Sequence, residues 1–126
     1  MPTKIVIADD QPDYRALLRM LLGRLPDTTV VGEAGDGSQA VELVLRERPD
    51  LVIVDMVMPR LNGIELTRRI KEALPETKVI LVSAYTGEAY RRVADVSGAD
   101  GFVYKQVMHS HLLPLVEQLI AGPSPA

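Results

Sequence analysis

Five side chains capable of polar chemistry lie at the ends of apolar, Val- and Ile-rich runs of this chain. KIVIAD ends in Asp9, with Asp10 beside it, and LVIVD, KVILVS and GFVYK end in Asp55, Ser83 and Lys105. An aspartate is rarely found in an apolar setting unless it is paired, hydrogen-bonded or bound to a metal. Any one of these positions has a plain explanation, because strands end in polar loops. Recurrence at four separate runs instead predicts one shared site.

The chemistry of such a site would be that of a metal-assisted carboxylate. Three carboxylates held together raise one another's pKa unless a cation intervenes. Oxygen ligands without His or Cys suit a hard ion, so Mg²⁺ is predicted, with Mn²⁺ as a substitute. The metal and Lys105 together would neutralise Asp9, Asp10 and Asp55, and would offset the charge of an added phosphoryl group. A carboxylate can carry phosphate covalently, so the set suits phosphoryl transfer to Asp55.

The elements that must position these residues follow from the hydropathy pattern. Three of the five apolar runs are continuous rather than alternating, as in strands buried on both faces of a parallel sheet. Apolar residues at helical spacing fill the intervals. The predicted strands are residues 4–9, 29–33, 51–55, 78–83 and 101–105, and the predicted helices fall within 14–22, 40–45, 64–74, 89–96 and 111–121. This alternation predicts an α/β fold with helices on both faces, whose parallel strands bring their carboxyl ends to one edge, where ligands bind.

Prolines and small residues mark the ends of these elements. Pro114 would break a helix interior, so the last helix is expected to begin near Ser110. Ser38, after the turn GEAGDG, is expected near the N-cap of the second helix. Residues 1–121 are predicted to form the domain, and residues 122–126 the start of a linker or a disordered tail. Three further prolines each follow a helical pattern and precede a strand, namely Pro26, Pro49 and Pro75.

Composition narrows the class of protein. The chain has 126 residues, which favours one domain, and 47% of them are hydrophobic. It has no cysteine, begins without a signal-peptide pattern and has no apolar run near the ~20 residues of a membrane span. A cytoplasmic protein without a membrane segment is therefore expected. Its 14 basic and 17 acidic residues give a net charge of −3, which argues against direct DNA binding, since phosphate contacts favour a basic surface.

The motifs IVIADD, LVIVDMVMPRLNG, VILVSA and GFVYK, in this order and strand context, resemble the receiver domain of bacterial two-component response regulators over essentially the whole chain. The resemblance implies a flavodoxin-like, doubly wound sheet of five parallel strands in the order 2-1-3-4-5. It implies that Asp55 is the phosphoacceptor, with a histidine kinase or phosphotransfer protein as the donor. Asp10, Asp55 and the backbone carbonyl of Val57 would ligate Mg²⁺, and Asp9 would act partly through water.

The resemblance also assigns roles around the phosphoryl group and on the signalling surface. Lys105 and the hydroxyl of Ser83 would hold the phosphoryl oxygens, and the small Ala84 would leave room for them. Phe102 matches the switch aromatic, which turns inward as Ser83 moves towards the phosphate. The fourth helix, fifth strand and fifth helix would relay the signal, with a homodimer expected on phosphorylation. Many members carry a proline after the lysine, often through a cis peptide, whereas Gln106 stands here.

Other functions remain open on the sequence alone. The stretch GEAGDGSQA resembles receivers that precede a helix-turn-helix output domain, so DNA would be bound only through a domain outside this chain and transcription would be the output. The alternative is a stand-alone receiver that acts through protein–protein contacts. An aspartate-nucleophile phosphohydrolase resembling the haloacid dehalogenase group would need a second Asp two residues after Asp55. That place holds Val57, which cannot transfer a proton, so an enzyme is not expected.

Overall fold

The computed structural model of the chain describes residues 2–121 and alternates strictly between strands and helices. The strands are β1 (Thr3–Ala8), β2 (Thr28–Ala34), β3 (Leu51–Asp55), β4 (Lys78–Ser83) and β5 (Gly101–Tyr104). The helices are α1 (Pro12–Leu22), α2 (Gly37–Glu47), α3 (Gly63–Ala73), α4 (Glu88–Val96) and α5 (Met108–Ala121), and a short 3₁₀ turn (Lys105–Val107) precedes α5. All ten predicted elements are present. The predicted tail, residues 122–126, lies outside the described residues.

The five strands form one parallel sheet in the order β2-β1-β3-β4-β5, which confirms the expected doubly wound fold. The order of strands in the sheet reverses at β1, because β1 pairs with β2 on one side and with β3 on the other. In open α/β sheets the crevice at such a reversal is where ligands bind. Asp9 follows β1 and Asp55 ends β3, so both carboxylates flank this crevice.

The continuous apolar runs are explained by a hydrophobic core on each face of the sheet. In β1, Val6 and Ala8 face the core formed with α2 and α3, whereas Ile5 and Ile7 face the core formed with α1 and α5. Residues of β3 and β4 alternate between the two cores in the same way. Burying a large aliphatic side chain contributes about 1.5–3 kcal/mol. The two-sided sheet is thus a rigid base for the residues at its carboxyl edge.

Helix α4 packs less closely than the other helices. Among its apolar residues only Ala94 is buried, while Tyr90, Val93 and Val96 are exposed, Val96 to 84%. Its helical spacing was predicted from the sequence, but most of its apolar face has no cover within residues 2–121. An apolar face of this kind is typical of an interaction surface.

One predicted helix boundary was wrong. Helix α5 begins at Met108, not near Ser110, and Pro114 lies inside it. Met108 and Leu112 before the proline and Val116 after it are buried, whereas Pro114 itself lies on the exposed face of the helix. Packing of these residues in the core therefore outweighs the backbone hydrogen bond that the proline removes. Ser38 lies near the N-cap of α2, as expected, and the N-cap itself is Asp36, whose side chain accepts a hydrogen bond from the amide of Gln39 at 2.9 Å.

No helix within residues 2–121 combines the length and the hydropathy that a membrane crossing would require.

Candidate functional site

Three carboxylates converge at the carboxyl edge of the sheet, beside the reversal of strand order. Asp9 and Asp10 lie in the connection from β1 to α1, and Asp55 is the last residue of β3. One carboxylate oxygen from each lies within 4.8 Å of the other two. Asp9 and Asp55 are buried and Asp10 is exposed, so the cluster is open to solvent on the side of Asp10.

The two oxygens of Asp9 have different environments. Oδ1 accepts a hydrogen bond from the amide of Gln11 at 2.8 Å. Oδ2 is buried and forms an ion pair with Lys105 Nζ at 2.9 Å, without a well-aligned hydrogen bond. A buried carboxylate oxygen is costly to leave unsatisfied. The Lys105 ammonium meets part of this demand. The all-oxygen donor set of Asp9, Asp10 and Asp55, with no His or Cys, also fits a hard divalent cation such as Mg²⁺.

Lys105 is buried between these carboxylates and the start of α1. Its Nζ lies 3.2 Å from Asp55 Oδ2 and 3.4 Å from Gln11 Oε1. The same ammonium lies 3.9 Å from the ring centroid of Tyr14, a cation–π contact. The sequence pattern predicts only that Tyr14 lies in the first helix and gives no sign of this contact. No local pattern could reveal it, since it joins residues at opposite ends of the chain.

Burial and charge shift the pKa values of both members of the ion pair. Desolvation and the neighbouring Asp9 raise the pKa of Asp55 to about 6, although Lys105 and the Val57 amide act in the opposite sense. Burial alone would lower the pKa of Lys105, but its contacts with Asp9 and Asp55 outweigh burial and raise it. Lys105 is therefore protonated at neutral pH. The ionised form of Asp55 is destabilised by burial and by the charge of Asp9, and a further cation would stabilise it.

The loop from β3 to α3 is packed tightly against Asp55. The amide of Val57 donates to Asp55 Oδ1 at 3.2 Å, and the amide of Gly63 donates to the carbonyl of Met56 at 3.0 Å. A Cβ at residue 63 would lie 2.2 Å from the Asp55 carbonyl oxygen, so only glycine fits there. This contact holds the loop, including Val57, next to the carboxylate. The Val57 side chain itself is 54% exposed.

Ser83 and Ala84 lie at the end of β4, one strand away from Asp55. The Ser83 hydroxyl donates to the carbonyl of Tyr85 at 2.9 Å and accepts from the amide of Tyr85 at 3.0 Å. It therefore bonds to its own turn and not to Asp55. Ala84, which follows Ser83, is exposed. Of the predicted site residues, Lys105 contacts Asp9 and Asp55, and Asp10 has a carboxylate oxygen within 4.8 Å of theirs. Ser83 ends the neighbouring strand, with its hydroxyl bonded to the Tyr85 backbone.

The aromatic residues of the neighbouring surface form two pairs. Phe102, half-buried on β5, meets Tyr104 edge to face, with ring centroids 4.8 Å apart. The Tyr104 hydroxyl donates to the carbonyl of Gly87, before α4, at 3.2 Å. Tyr85 stacks on Tyr90 of α4 at 5.3 Å. These contacts join β5, the β4–α4 loop and α4. The Lys105–Gln106 peptide is trans, like every peptide bond within residues 2–121.

Comparison with known proteins agrees with this geometry. A family model described as the response regulator receiver domain matches residues 5–117. The nitrate/nitrite response regulator protein NarL of Escherichia coli strain K12 is 35% identical over 121 residues, covering 96% of this chain and 56% of that protein. A two-component response regulator of the LuxR family from Aurantimonas sp. SI85-9A1 superposes with a TM-score of 0.90 at 32% identity, covering 97% of this chain and 87% of the other.

A further relative carries a different activity in its name. Protein-glutamate methylesterase/protein-glutamine glutaminase 4 of Myxococcus xanthus is 50% identical over 82 residues, or 65% of this chain and 23% of that protein. The chain spans about half the length of the transcriptional regulators it matches. The matched family, the strand order and the acidic cluster agree, and the chain therefore belongs to the response regulator receiver domain family.

Proposed function

We propose that this chain is a phosphorylation-dependent switch that accepts a phosphoryl group on Asp55. The observation that carries the proposal is the placement of Asp55. Its carboxylate is buried at the end of β3, 3.2 Å from the Lys105 ammonium and within one metal-sized cluster with Asp9 and Asp10. A nucleophilic carboxylate next to fixed positive charge is the arrangement that phosphoryl transfer requires, because charge builds on the phosphoryl oxygens.

In the proposed reaction, a carboxylate oxygen of Asp55 attacks the phosphorus of a phosphohistidine on a histidine kinase or phosphotransfer protein. The O–P bond forms as the P–N bond breaks, and the histidine nitrogen keeps the electron pair. Lys105, already paired with Asp55, would hold a phosphoryl oxygen. Mg²⁺, held by Asp9, Asp10, Asp55 and the Val57 carbonyl, would supply neutralising charge when bound.

The response to phosphate would pass through Ser83 and Phe102. The Ser83 hydroxyl would exchange its bonds to the Tyr85 backbone for one to the phosphoryl group, which moves the β4–α4 loop. That loop is tied to α4 and β5 by the Tyr85–Tyr90 stack and the Tyr104–Gly87 hydrogen bond. Phe102 packs against Tyr104, so its inward turn would change the same contacts. The exposed apolar face of α4 would then bind a partner or a second copy of the chain.

Relatives of the NarL and LuxR types support transcriptional control as the output. Relatives are named as transcriptional regulators, one of them as a DNA-binding activator, and they are longer than this chain. DNA would thus be bound through a domain outside it. The methylesterase/glutaminase relative, of which this chain matches 23%, supports a different output, in which the receiver acts on a domain other than a DNA-binding one. The alternative of a stand-alone receiver that acts through protein–protein contacts stays a prediction. A phosphohydrolase is disfavoured, because Val57 places an exposed methyl group where that reaction needs an acid.

Incubation with acetyl phosphate tests the proposed function. With Mg²⁺ present, the intact mass is expected to rise by one phosphoryl group, as the P–O bond to acetate breaks and acetate leaves. Chelation of the metal is expected to suppress the rise. A chain that stays unmodified with Mg²⁺ and an active phosphodonor would contradict the proposal.

Phe102→Ala is expected to uncouple phosphorylation from the α4 surface. A ligand shifts a two-state equilibrium only through its different affinity for the two states, and here the aromatic ring carries part of that difference. A beryllofluoride mimic should change amide exchange in residues 86–121 of the parent by about tenfold, and by less than about twofold in the variant. Acetyl phosphate labelling should persist in both. Equal exchange changes in parent and variant would show that Phe102 is not part of the switch.

A further inference from the structure

A network of two arginines and one glutamate lies beneath the β1–α1 turn that carries Asp9 and Asp10. Arg15, one turn into α1, donates from Nη1 to the backbone carbonyl of Asp9 at 2.6 Å. Its Nε also donates to Glu33 Oε1, on β2, at 3.2 Å. Arg19 donates from Nη1 to the other oxygen of Glu33 at 2.6 Å. One guanidinium therefore joins the end of β1, helix α1 and strand β2.

The contact with Asp9 is made by the backbone and not by the side chain. The Asp9 carbonyl and the Asp10 amide form one planar peptide unit. Holding the carbonyl oxygen in place therefore holds the orientation of the backbone that leads into Asp10. Asp10 is exposed, and packing gives its side chain little support. The position of its carboxylate in the cluster consequently depends on the backbone of this turn.

We propose that Arg15 is a positioning residue for the metal site, holding the turn so that Asp9 and Asp10 both face Asp55. The proposal rests on the metal site of the proposed function and assigns Arg15 no contact with the metal or the phosphoryl group. Residues that orient metal ligands from outside commonly change metal affinity by about 10–100-fold when replaced. Glu33 anchors the guanidinium from the side of β2, and its own charge is shared with Arg19.

The chain offers a matched control for charge. Arg15 and Arg19 carry the same charge and pair with the same glutamate, but only Arg15 reaches the Asp9 carbonyl. Arg15→Met and Arg19→Met each remove one positive charge near Glu33 while keeping an unbranched apolar side chain. A difference between the two variants thus reports what Arg15 has and Arg19 lacks, namely the contact with Asp9 and a more buried ion pair with Glu33.

The experiment is a Mg²⁺ titration of the parent and both variants, followed by the amide resonances of Asp10 and Val57. Arg15→Met is expected to weaken Mg²⁺ binding about tenfold, and Arg19→Met by less than about twofold, as for an exposed ion pair. If Arg15→Met does not fold, Arg15→Lys takes its place. It keeps the charge but lacks the planar fork that spans both acceptors, so weakened binding is again expected.

Several outcomes would overturn the proposal. Unchanged Mg²⁺ affinity in Arg15→Met, or equal weakening in both methionine variants, would show that geometry at Asp9 does not depend on Arg15. A parent that binds no Mg²⁺ would overturn this proposal together with the proposed metal site. A parent that binds Mg²⁺ and is phosphorylated, while Arg15→Met binds the metal equally well, would overturn only the role of Arg15.

Discussion

Asp55→Asn is expected to abolish labelling by acetyl phosphate, with the initial rate falling by at least about 100-fold, or more than about 2.7 kcal/mol in the barrier. The carboxamide keeps nearly the same shape but lacks the anionic oxygen that attacks phosphorus. Neither neighbouring carboxylate is placed to take over. Asp9 is 0% exposed and bound to the Gln11 amide and Lys105, and Asp10 lies on the solvent side of the cluster.

The same labelling assay separates loss of the nucleophile from loss of charge. Asp95→Asn removes one negative charge from the exposed surface of α4 and is expected to label at the parent's rate. Asp10→Asn should label more slowly but still on Asp55, because it removes a proposed metal ligand and leaves the nucleophile. Intact mass spectrometry gives the rate, and peptide mapping gives the residue. Labelling of Asp55→Asn at another residue, at the parent's rate, would disprove the assignment of the phosphoacceptor.

The arrangement of the sheet could be predicted because its signals are local. Continuous apolar runs such as LVIVD identify strands buried on both faces, and both cores are indeed filled by alternate residues of β1, β3 and β4. The parallel α/β architecture then places the ends of β1 and β3 at one edge, which is why Asp9 and Asp55 could be grouped before any contact was known. Strand order required the resemblance to a family, since hydropathy does not encode which strands are neighbours.

What could not be predicted depends on contacts between distant elements. Pro114 is a helix breaker by its own chemistry, yet burial of Met108, Leu112 and Val116 keeps α5 helical across it. Arg15 belongs to the polar face of α1, and only the structure shows that it reaches Asp9 and Glu33 at the end of the sheet. Because such residues have ordinary helical spacing, the sequence pattern predicts the helix that they belong to but not the residues that they contact.

Asp55→Asn is also expected to raise the free energy of unfolding at neutral pH in the absence of Mg²⁺. The pKa of Asp55 is about 6 in the folded protein against an ordinary value of 3.8. The native carboxyl therefore binds a proton more tightly than the unfolded one, so its contribution to stability is fully present below about pH 4 and is lost as the pH rises through about 6. A difference of roughly two pKa units corresponds to ~3 kcal/mol. Because Lys105 loses one of its two carboxylate partners in the variant, a net gain of about 1–3 kcal/mol is expected at pH 7 to 8.

Urea unfolding of the parent and the variant between pH 4 and pH 8, followed by circular dichroism, measures this gain. The gain should be smallest near pH 4, where Asp55 is largely protonated in the folded parent, and should increase through about pH 6 to a plateau. Added Mg²⁺ should reduce the gain at pH 7, because a ligand that binds the folded parent stabilises it and the variant lacks one carboxylate of the metal cluster. Asp95→Asn, on the exposed surface, should show no comparable pH-dependent gain.

A gain that is constant with pH, or a variant less stable than the parent at pH 7, would mean that the ionised Asp55 is not destabilising in the folded protein. The destabilisation of the ionised Asp55 carboxylate, which is expected to favour metal binding and phosphorylation, would then be absent.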